Sequence, residues 1–294
     1  MKRIAIFGNK SQKTNFDCLE RFIALLCDNS HRLELAIDRR YYDFLHRVIE
    51  VPRTLKCTVI EAGDPVEADL VLSIGGDGSF LTTANRVGAS EIPILGINSG
   101  HLGYLAAADI KDATGVINDI AEGNYEVEPR SVIAVESDSE LMPARPFALN
   151  EVAILKQHTA SMITVHATVD SLPLASYRSD GLIISTPTGS TGYNLSVGGP
   201  IVAPTATDWI ISPIAPHSLN MRPLVLPDTV RMTVRTESRS ASYLLSIDGK
   251  SVTLPIDTEL RLRKADYVVN VVIFKGHNFV DTLRRKLLWG MGGL

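Results

Sequence analysis

Cysteine is scarce in this 294-residue sequence, with Cys18, Cys27 and Cys57 the three present. Their odd number and lack of metal-ligand spacing exclude a disulfide framework and a thiolate zinc site, and they read as reduced thiols. A basic excess is lacking too. The 29 Lys and Arg are outnumbered by 33 Asp and Glu, for a net charge of −4, so the electrostatic footprint of a nucleic-acid binder is missing. No apolar run approaches the ~18 residues of a membrane span. Met1-Lys2-Arg3-Ile4 leads directly into an apolar strand without an h-region or cleavage site, which predicts a cytoplasmic protein. Internal repeats, charge blocks and low-complexity linkers do not occur. What remains is an ordinary globular composition, 45% apolar and 21% charged, in a length that accommodates two cores.

The most informative stretch is Leu70 to Leu81, LVLSIGGDGSFL. Its short apolar opening predicts a strand buried on both faces, as in a parallel sheet. Gly75, Gly76 and Gly78 then let the backbone approach a ligand or adopt φ > 0. Ser79 is expected to cap a helix through Phe80, Leu81 and Ala84. A glycine turn between strand end and helix start is an anion site. It encloses one carboxylate, Asp77, which is unwelcome beside phosphates unless a metal or a proton transfer uses it. The spacing is neither G-x-G-x-x-G nor G-x-x-x-x-G-K-[ST], so it is not the dinucleotide or Walker pattern.

Before Gly123, short apolar strands alternate with helical patterns. Strands are expected at 4–8, 33–37, 58–60, 70–74 and 94–98. Helices are expected after an Asn15 or Thr14 cap, over 42–49 and over 112–123. This alternation predicts an open α/β layer with a largely parallel sheet. Ligands in such sheets bind at the carboxyl ends of the strands. The GGDG turn lies at one such end and the loop Asn98 to Gly103 at another, where His101 is either a phosphate neighbour or a solvated loop histidine. The loop Asn9-Lys10-Ser11 reads as solvated.

From Tyr125 onward the period changes to two. Met162 to Val169 alternates up to an Asp170-Ser171 turn, and Val230 to Arg235 alternates likewise. Leu244 to Ile247 followed by Asp248-Gly249 predicts a hairpin with a type I′ turn. Further strands are expected over 260–263 and 267–274, giving a sandwich-like all-β domain. His166 falls on a polar strand face. Helical periodicity returns over 279–288 and predicts a final helix packing back on the N-terminal domain. The domains expected are 1–125 (α/β), 126–274 (all-β) and 275–294 (returning segment).

GGDGSFL resembles the signature of NAD kinases and, more broadly, of a kinase group that includes the diacylglycerol, sphingosine and 6-phosphofructokinases. Alone it leaves all four open. Three further segments resemble NAD kinases specifically: Asn150-Glu151 at a strand start, the run Arg178 to Ser196 containing TPTGSTGY, and Pro216 to Leu224, read as mainly structural. Departures are Gly192 where the family usually has Ala, Asn194 where Ser is frequent, and Lys250 where many members carry Gln.

The resemblance implies ATP-dependent phosphorylation of the adenosine-ribose 2′-hydroxyl of NAD to give NADP, with Asp77 as the catalytic base. Gly75, Gly76 and Gly78 are then expected at the donor phosphates, and Asn150 and Glu151 at the ribose and adenine. Thr191, Gly192, Tyr193, Asn194, Leu195 and Ser196 are expected around the nucleotide, with Arg178 and Asp180 at the nicotinamide end or its phosphates. The implied partners are NAD and ATP, with no nucleic acid and no membrane. No fixed metal cage is implied, and Mg²⁺ or another divalent ion arrives with ATP. Homodimers or homotetramers are implied too, sometimes with a neighbour's residues lining the site. The alternatives are a lipid kinase of the diacylglycerol or sphingosine type and a non-catalytic dinucleotide sensor.

Overall fold

The computed structural model describes residues 1–9, 15–100, 103–157, 162–276 and 278–290. The chain divides into two compact units. The first is Met1–Pro129 with Val269–Leu294, and the second is Arg130–Val268.

The chain opens with β1 (Lys2–Gly8), α1 (Phe16–Asp28), β2 (Leu33–Asp38), α2 (Arg39–Val48), β3 (Cys57–Ile60) and β4 (Leu70–Gly75). Then come α3 (Asp77–Val87), β5 (Ile94–Asn98), β6 (Ala108–Asp109), α4 (Ala113–Glu122) and β7 (Tyr125–Arg130). Helix starts follow capping chemistry. The Asn15 side chain accepts from the Cys18 N–H at 3.1 Å, and Asp38 accepts from the Arg40 and Tyr41 N–H groups. The left-handed Gly123 ends α4.

The second unit holds β8 (Ile133–Glu136), β9 (Phe147–Ala148), β10 (Glu151–Lys156), β11 (Ile163–Val169), β12 (Leu172–Ser179) and β13 (Gly181–Ser185). It continues with α5 (Tyr193–Ser196), β14 (Asp208–Ile214), β15 (Leu224–Pro227), β16 (Met232–Ser238), β17 (Ser242–Ile247), β18 (Lys250–Pro255) and β19 (Leu260–Lys264). The chain then runs through β20 (Val269–Phe274) and α6 (Phe279–Leu287).

The first sheet has the order β3-β2-β1-β4-β5-β20-β7, with β6 beside β5. The β1–β2, β1–β4, β2–β3, β4–β5, β5–β6 and β5–β20 pairs are all parallel. Every residue of β4 is buried, as its unbroken apolar run predicts. Its core joins these strands to Leu19, Phe22, Ile23 and Leu26 of α1 and Val116, Ile117 and Ile120 of α4.

Unit 2 is an antiparallel sandwich of two sheets, β15-β14-β13-β10-β17-β18 and β12-β11-β16-β19-β8-β9. Alternate residues such as Ile163, Val165 and Ala167 of β11 point into one core with Val152, Leu182, Trp209 and Leu245. Between β17 and β18, Asp248 (φ 48°) and Gly249 (φ 77°) form the expected two-residue turn. On the outer face of β11, His166 meets Ser176 Oγ at 2.8 Å and Glu237 at 3.3 Å.

Three expectations are corrected. The alternation over 267–274 predicts a strand of the β domain, but β20 pairs with β5 and completes the first sheet. The same holds for β7, the neighbour of β20. An apolar strand fits a sandwich core and a parallel sheet equally well, so periodicity does not choose between them. The third correction is Ser79: α3 begins two residues earlier, with Gly76 as its N-cap and no side-chain cap bond. The final helix belongs to unit 1 as expected. Among the described residues no helix is long and apolar enough to cross a membrane.

Candidate active site

Gly75, Gly76, Asp77 and Gly78 belong to unit 1, and the other candidate site residues to unit 2. In unit 1, β4 ends in Gly75, whose φ of +148° suits only glycine, and a Cβ there would lie 2.2 Å from Ser79 Oγ. Ser79 is therefore buried against the turn instead of capping it. Gly76 and Gly78 are exposed, and a Cβ on either would meet no atom of the described residues within 4 Å. Open space thus lies over the backbone at the positive end of the α3 dipole, the arrangement that favours an anion.

Asp77 is half-buried in the first turn of α3. Its Oδ2 accepts from the Tyr104 N–H at 2.8 Å and its Oδ1 from the Leu105 N–H at 3.0 Å. Beside this turn lies a cavity of about 510 Å³ lined by Gly8, Asn9, Arg40, Ser79, Thr82 and Arg86 among others. It sits at the carboxyl ends of β1 and β2, where open α/β sheets bind ligands. Lys10, Ser11 and His101 lie outside the described residues.

In unit 2, Asn150 and Glu151 stand where the chain enters β10. The segment after β13 folds back onto them. The Thr186 N–H donates to the Asn150 carbonyl at 2.9 Å, and the Thr186 hydroxyl donates to the Leu149 carbonyl at 2.5 Å. Gly189 packs so closely that a Cβ would lie 2.1 Å from the Asn150 carbonyl oxygen. At Gly192 a Cβ would lie 2.9 Å from Glu151 Oε2 and 3.4 Å from Asn150 Nδ2. The segment after β13 forms a 3₁₀ turn, Thr188–Thr191, followed by α5.

Asp248, which sequence reasoning read only as a turn residue, fastens this corner from the β17–β18 hairpin. Its Oδ2 accepts from the Leu149 N–H at 2.8 Å, and its Oδ1 from the Asn150 and Glu151 N–H groups at 2.8 and 3.1 Å. Burial of the carboxyl pushes its pKa up to about 6, against the pull of those three donors and of Lys250. Glu151 is pushed up to about 7, first by burial and then by the charge of Asp248, with the Tyr193 N–H acting the other way. Asn150 Oδ1, Glu151 Oε2 and Thr188 Oγ1 are buried and have no hydrogen-bond partner among the described residues. Buried polar atoms are normally paired, so three orphans in one corner mark a place for a polar ligand.

The remaining candidates divide. Tyr193 is 39% exposed and offers a ring face at the rim. Thr191 and Leu195 are half-buried, and Ser196 is exposed. The side chain of Asn194 is spent inside the loop. It is fully buried, donates to the Ser190 and Pro200 carbonyls, and accepts from the Ser212 hydroxyl at 2.7 Å. Arg178 and Asp180 are not brought to this corner. Glu151 pairs with Ser185, while Gly181 pairs with Leu155, so Asp180, five residues before Ser185, lies about 17 Å further along at ~3.3 Å per residue. There Asp180 pairs with Lys156 at 2.6 Å, and Arg178 is exposed.

The family model of the ATP-NAD kinase N-terminal domain matches residues 4–125, and that of the ATP-NAD kinase C-terminal domain matches residues 149–274. An NAD kinase of Porphyromonas gingivalis is 42% identical over 290 residues, 99% of each chain. The crystal structure of a yeast NADH kinase complexed with NADH superposes with a TM-score of 0.86 at 20% identity, covering 100% of this chain and 89% of that one. An NAD kinase from Archaeoglobus fulgidus in complex with ATP superposes with a TM-score of 0.69 at 26% identity, covering 96% of this chain and 98% of that one.

Proposed function

The chain belongs to the NAD kinase family, and from that premise we propose how its residues divide the work of moving a phosphoryl group from ATP to NAD. The product is NADP, phosphorylated at the adenosine-ribose 2′ position. The lipid-kinase and sensor alternatives give way to full-length NAD kinase relatives. The observation that carries the residue assignment is the orphan set Asn150 Oδ1, Glu151 Oε2 and Thr188 Oγ1. A ribose diol and an adenine amino group supply the donors that these acceptors lack. Tyr193 gives the base a ring to lie against.

On the donor side, the Gly75–Gly78 turn and the neighbouring cavity receive ATP. Mg²⁺ carried on its phosphates offsets their charge. The protein's own share is the turn backbone and the Asp77 carboxylate. Asp77 takes the 2′-hydroxyl proton as the ribose oxygen bonds to the γ-phosphorus, and ADP leaves with the electron pair of the broken β–γ bridge. Arg178 and Asp180, at the far end of β12 and β13, reach the dinucleotide only from a second copy of the chain. This fits a homodimer or homotetramer, a state that sedimentation reads directly. A cytoplasmic location completes the proposal.

The test of the reaction is mass spectrometry of products from ATP with NAD, NADP, 2′-deoxy-NAD and diacylglycerol. NAD alone is expected to gain a phosphate, because NADP and 2′-deoxy-NAD lack the free hydroxyl. A phosphorylated lipid, or NAD phosphorylated elsewhere, would overturn it. The binding half has its own test. Glu151 accepts from the ribose best when ionised, and its pKa in the free protein is raised to about 7. NAD affinity is therefore expected to rise as pH passes upward through 7, by up to about tenfold per unit below it. In Glu151→Gln calorimetry should show a flat profile. An unchanged slope would remove Glu151 from the nucleoside site.

A further inference from the structure

We propose that Lys286, on the last helix, is the cation that meets the transferring phosphoryl group beside Asp77, with the Tyr104 hydroxyl as a neighbouring donor. The inference rests on the assignment of Asp77 as the base. Phosphoryl transfer needs charge stabilisation at the transferring oxygens, and the Gly75–Gly78 turn contains no basic residue. Helix α6 brings three basic residues in its last turn. Arg284 and Arg285 are exposed, whereas Lys286 is half-buried.

Lys286 Nζ lies 5.1 Å from the centroid of the Tyr104 ring. The N–H of that same tyrosine donates to Asp77 Oδ2 at 2.8 Å. Ammonium, ring and carboxylate are thus successive neighbours. Burial pulls the Lys286 pKa below its ordinary value, and the charge of Asp77 opposes that shift. The Tyr104 hydroxyl is buried and has no hydrogen-bond partner among the described residues. A purely packing role at this position would be served by Leu or Met without the cost of desolvating an ammonium. A charged group and an orphan hydroxyl next to the base are instead suited to an anion arriving between them. Lys286 keeps its proton throughout, while the hydroxyl proton of NAD goes to Asp77.

The experiment is steady-state kinetics of Lys286→Met, Lys286→Arg and Asp77→Asn from pH 7 to 10, with thermal unfolding of each. Lys286→Met is expected to lower kcat by about 10²-fold or more, the usual loss on removing one preorganised donor from a transition state, with little change in KM for NAD. Lys286→Arg should retain most of the activity. Among the described residues Asp77 and Tyr104 are the titratable groups that face Lys286, and burial followed by the Asp77 charge raises the Tyr104 pKa. An alkaline fall in wild-type kcat is therefore expected from Lys286 losing its proton. It should vanish in Lys286→Arg, whose guanidinium does not titrate. Wild-type kcat in Lys286→Met would overturn the proposal. So would a loss of activity that follows unfolding temperature and is not rescued by Arg. Turnover retained in Asp77→Asn would instead overturn the base assignment, which keeps the two failures distinct.

Discussion

Asp77→Asn is expected to lower kcat by about 10²–10⁴-fold, the usual contribution of a positioned base, while NAD still binds. Each carboxylate oxygen of Asp77 accepts one backbone N–H, from Tyr104 or Leu105. Each oxygen has two lone-pair directions, so these bonds fix the group and still leave it able to accept a hydroxyl proton. Asparagine keeps the size and one acceptor but cannot take that proton. Its amide nitrogen would face one of the two N–H groups, at a cost of about 1–3 kcal/mol for the unpaired donor. Thermal unfolding measured with the kinetics separates this modest loosening from the lost chemistry. Near-normal kcat in the purified variant would remove Asp77 from its role.

The second large effect is expected at a residue that touches no substrate. Asp248→Ala removes the acceptor of three backbone N–H groups, those of Leu149, Asn150 and Glu151. At about 1–3 kcal/mol for each donor left without a partner, a loss of roughly 3–9 kcal/mol of stability is expected. NAD affinity should fall with it, because Asn150 and Glu151 lose the clamp that holds their backbone. Asp248→Asn should be milder, since one amide oxygen can still serve the two N–H groups that Oδ1 serves now. Its pH signature is distinct. The carboxyl has an ordinary value of 3.8 and a folded value of about 6. The native state therefore binds the proton more tightly, and stability falls as pH rises from 3.8 to about 6 before levelling off. That component should vanish in Asp248→Asn. The fall that belongs to Glu151 should remain but end at a lower pH, because burial still raises its pKa while the charge of Asp248 no longer does. Urea denaturation across this range measures both, and an Asp248→Ala protein as stable as wild type would refute the clamp.

The difference in legibility between Asp77 and Asp248 has a physical cause. Asp77 stands in a local pattern, since strand, glycines and helix start are contiguous and announce an anion site. Asp248 also stands in a local pattern, but that pattern is complete without its carboxylate. Asp-Gly between two apolar runs already explains itself as a type I′ turn. The partners of the carboxylate lie 97 to 99 residues earlier, beyond any window. Asn194 shows the opposite error. Its place in a hydroxyl-rich run suggests a ligand contact, yet the side chain is consumed by Ser190, Pro200 and Ser212. Arg178 and Asp180 precede the TPTGST turn in sequence, but the length of β13 carries them to the far end of its sheet. Most strands and helices were legible because one period dominated each. The sheet to which β7 and β20 belong was not, because pairing partners leave no mark on a strand's own apolar pattern.

The place of β20 has a consequence for how the protein is made. Unit 2 is contiguous, from Arg130 to Val268, so every strand of its sandwich has been translated before β20 exists. The first sheet is different: β5 receives one parallel neighbour, and β7 its own, only after Val269–Phe274 has left the ribosome. The usual order, in which the amino-terminal domain closes first during synthesis, is thereby reversed. Until then β6 covers Ile97 and Asn98, but the Ile94 end of β5 is an open apolar edge, the kind of edge that recruits other strands. The interval from β5 to β20 is the period in which a growing polypeptide most needs a chaperone.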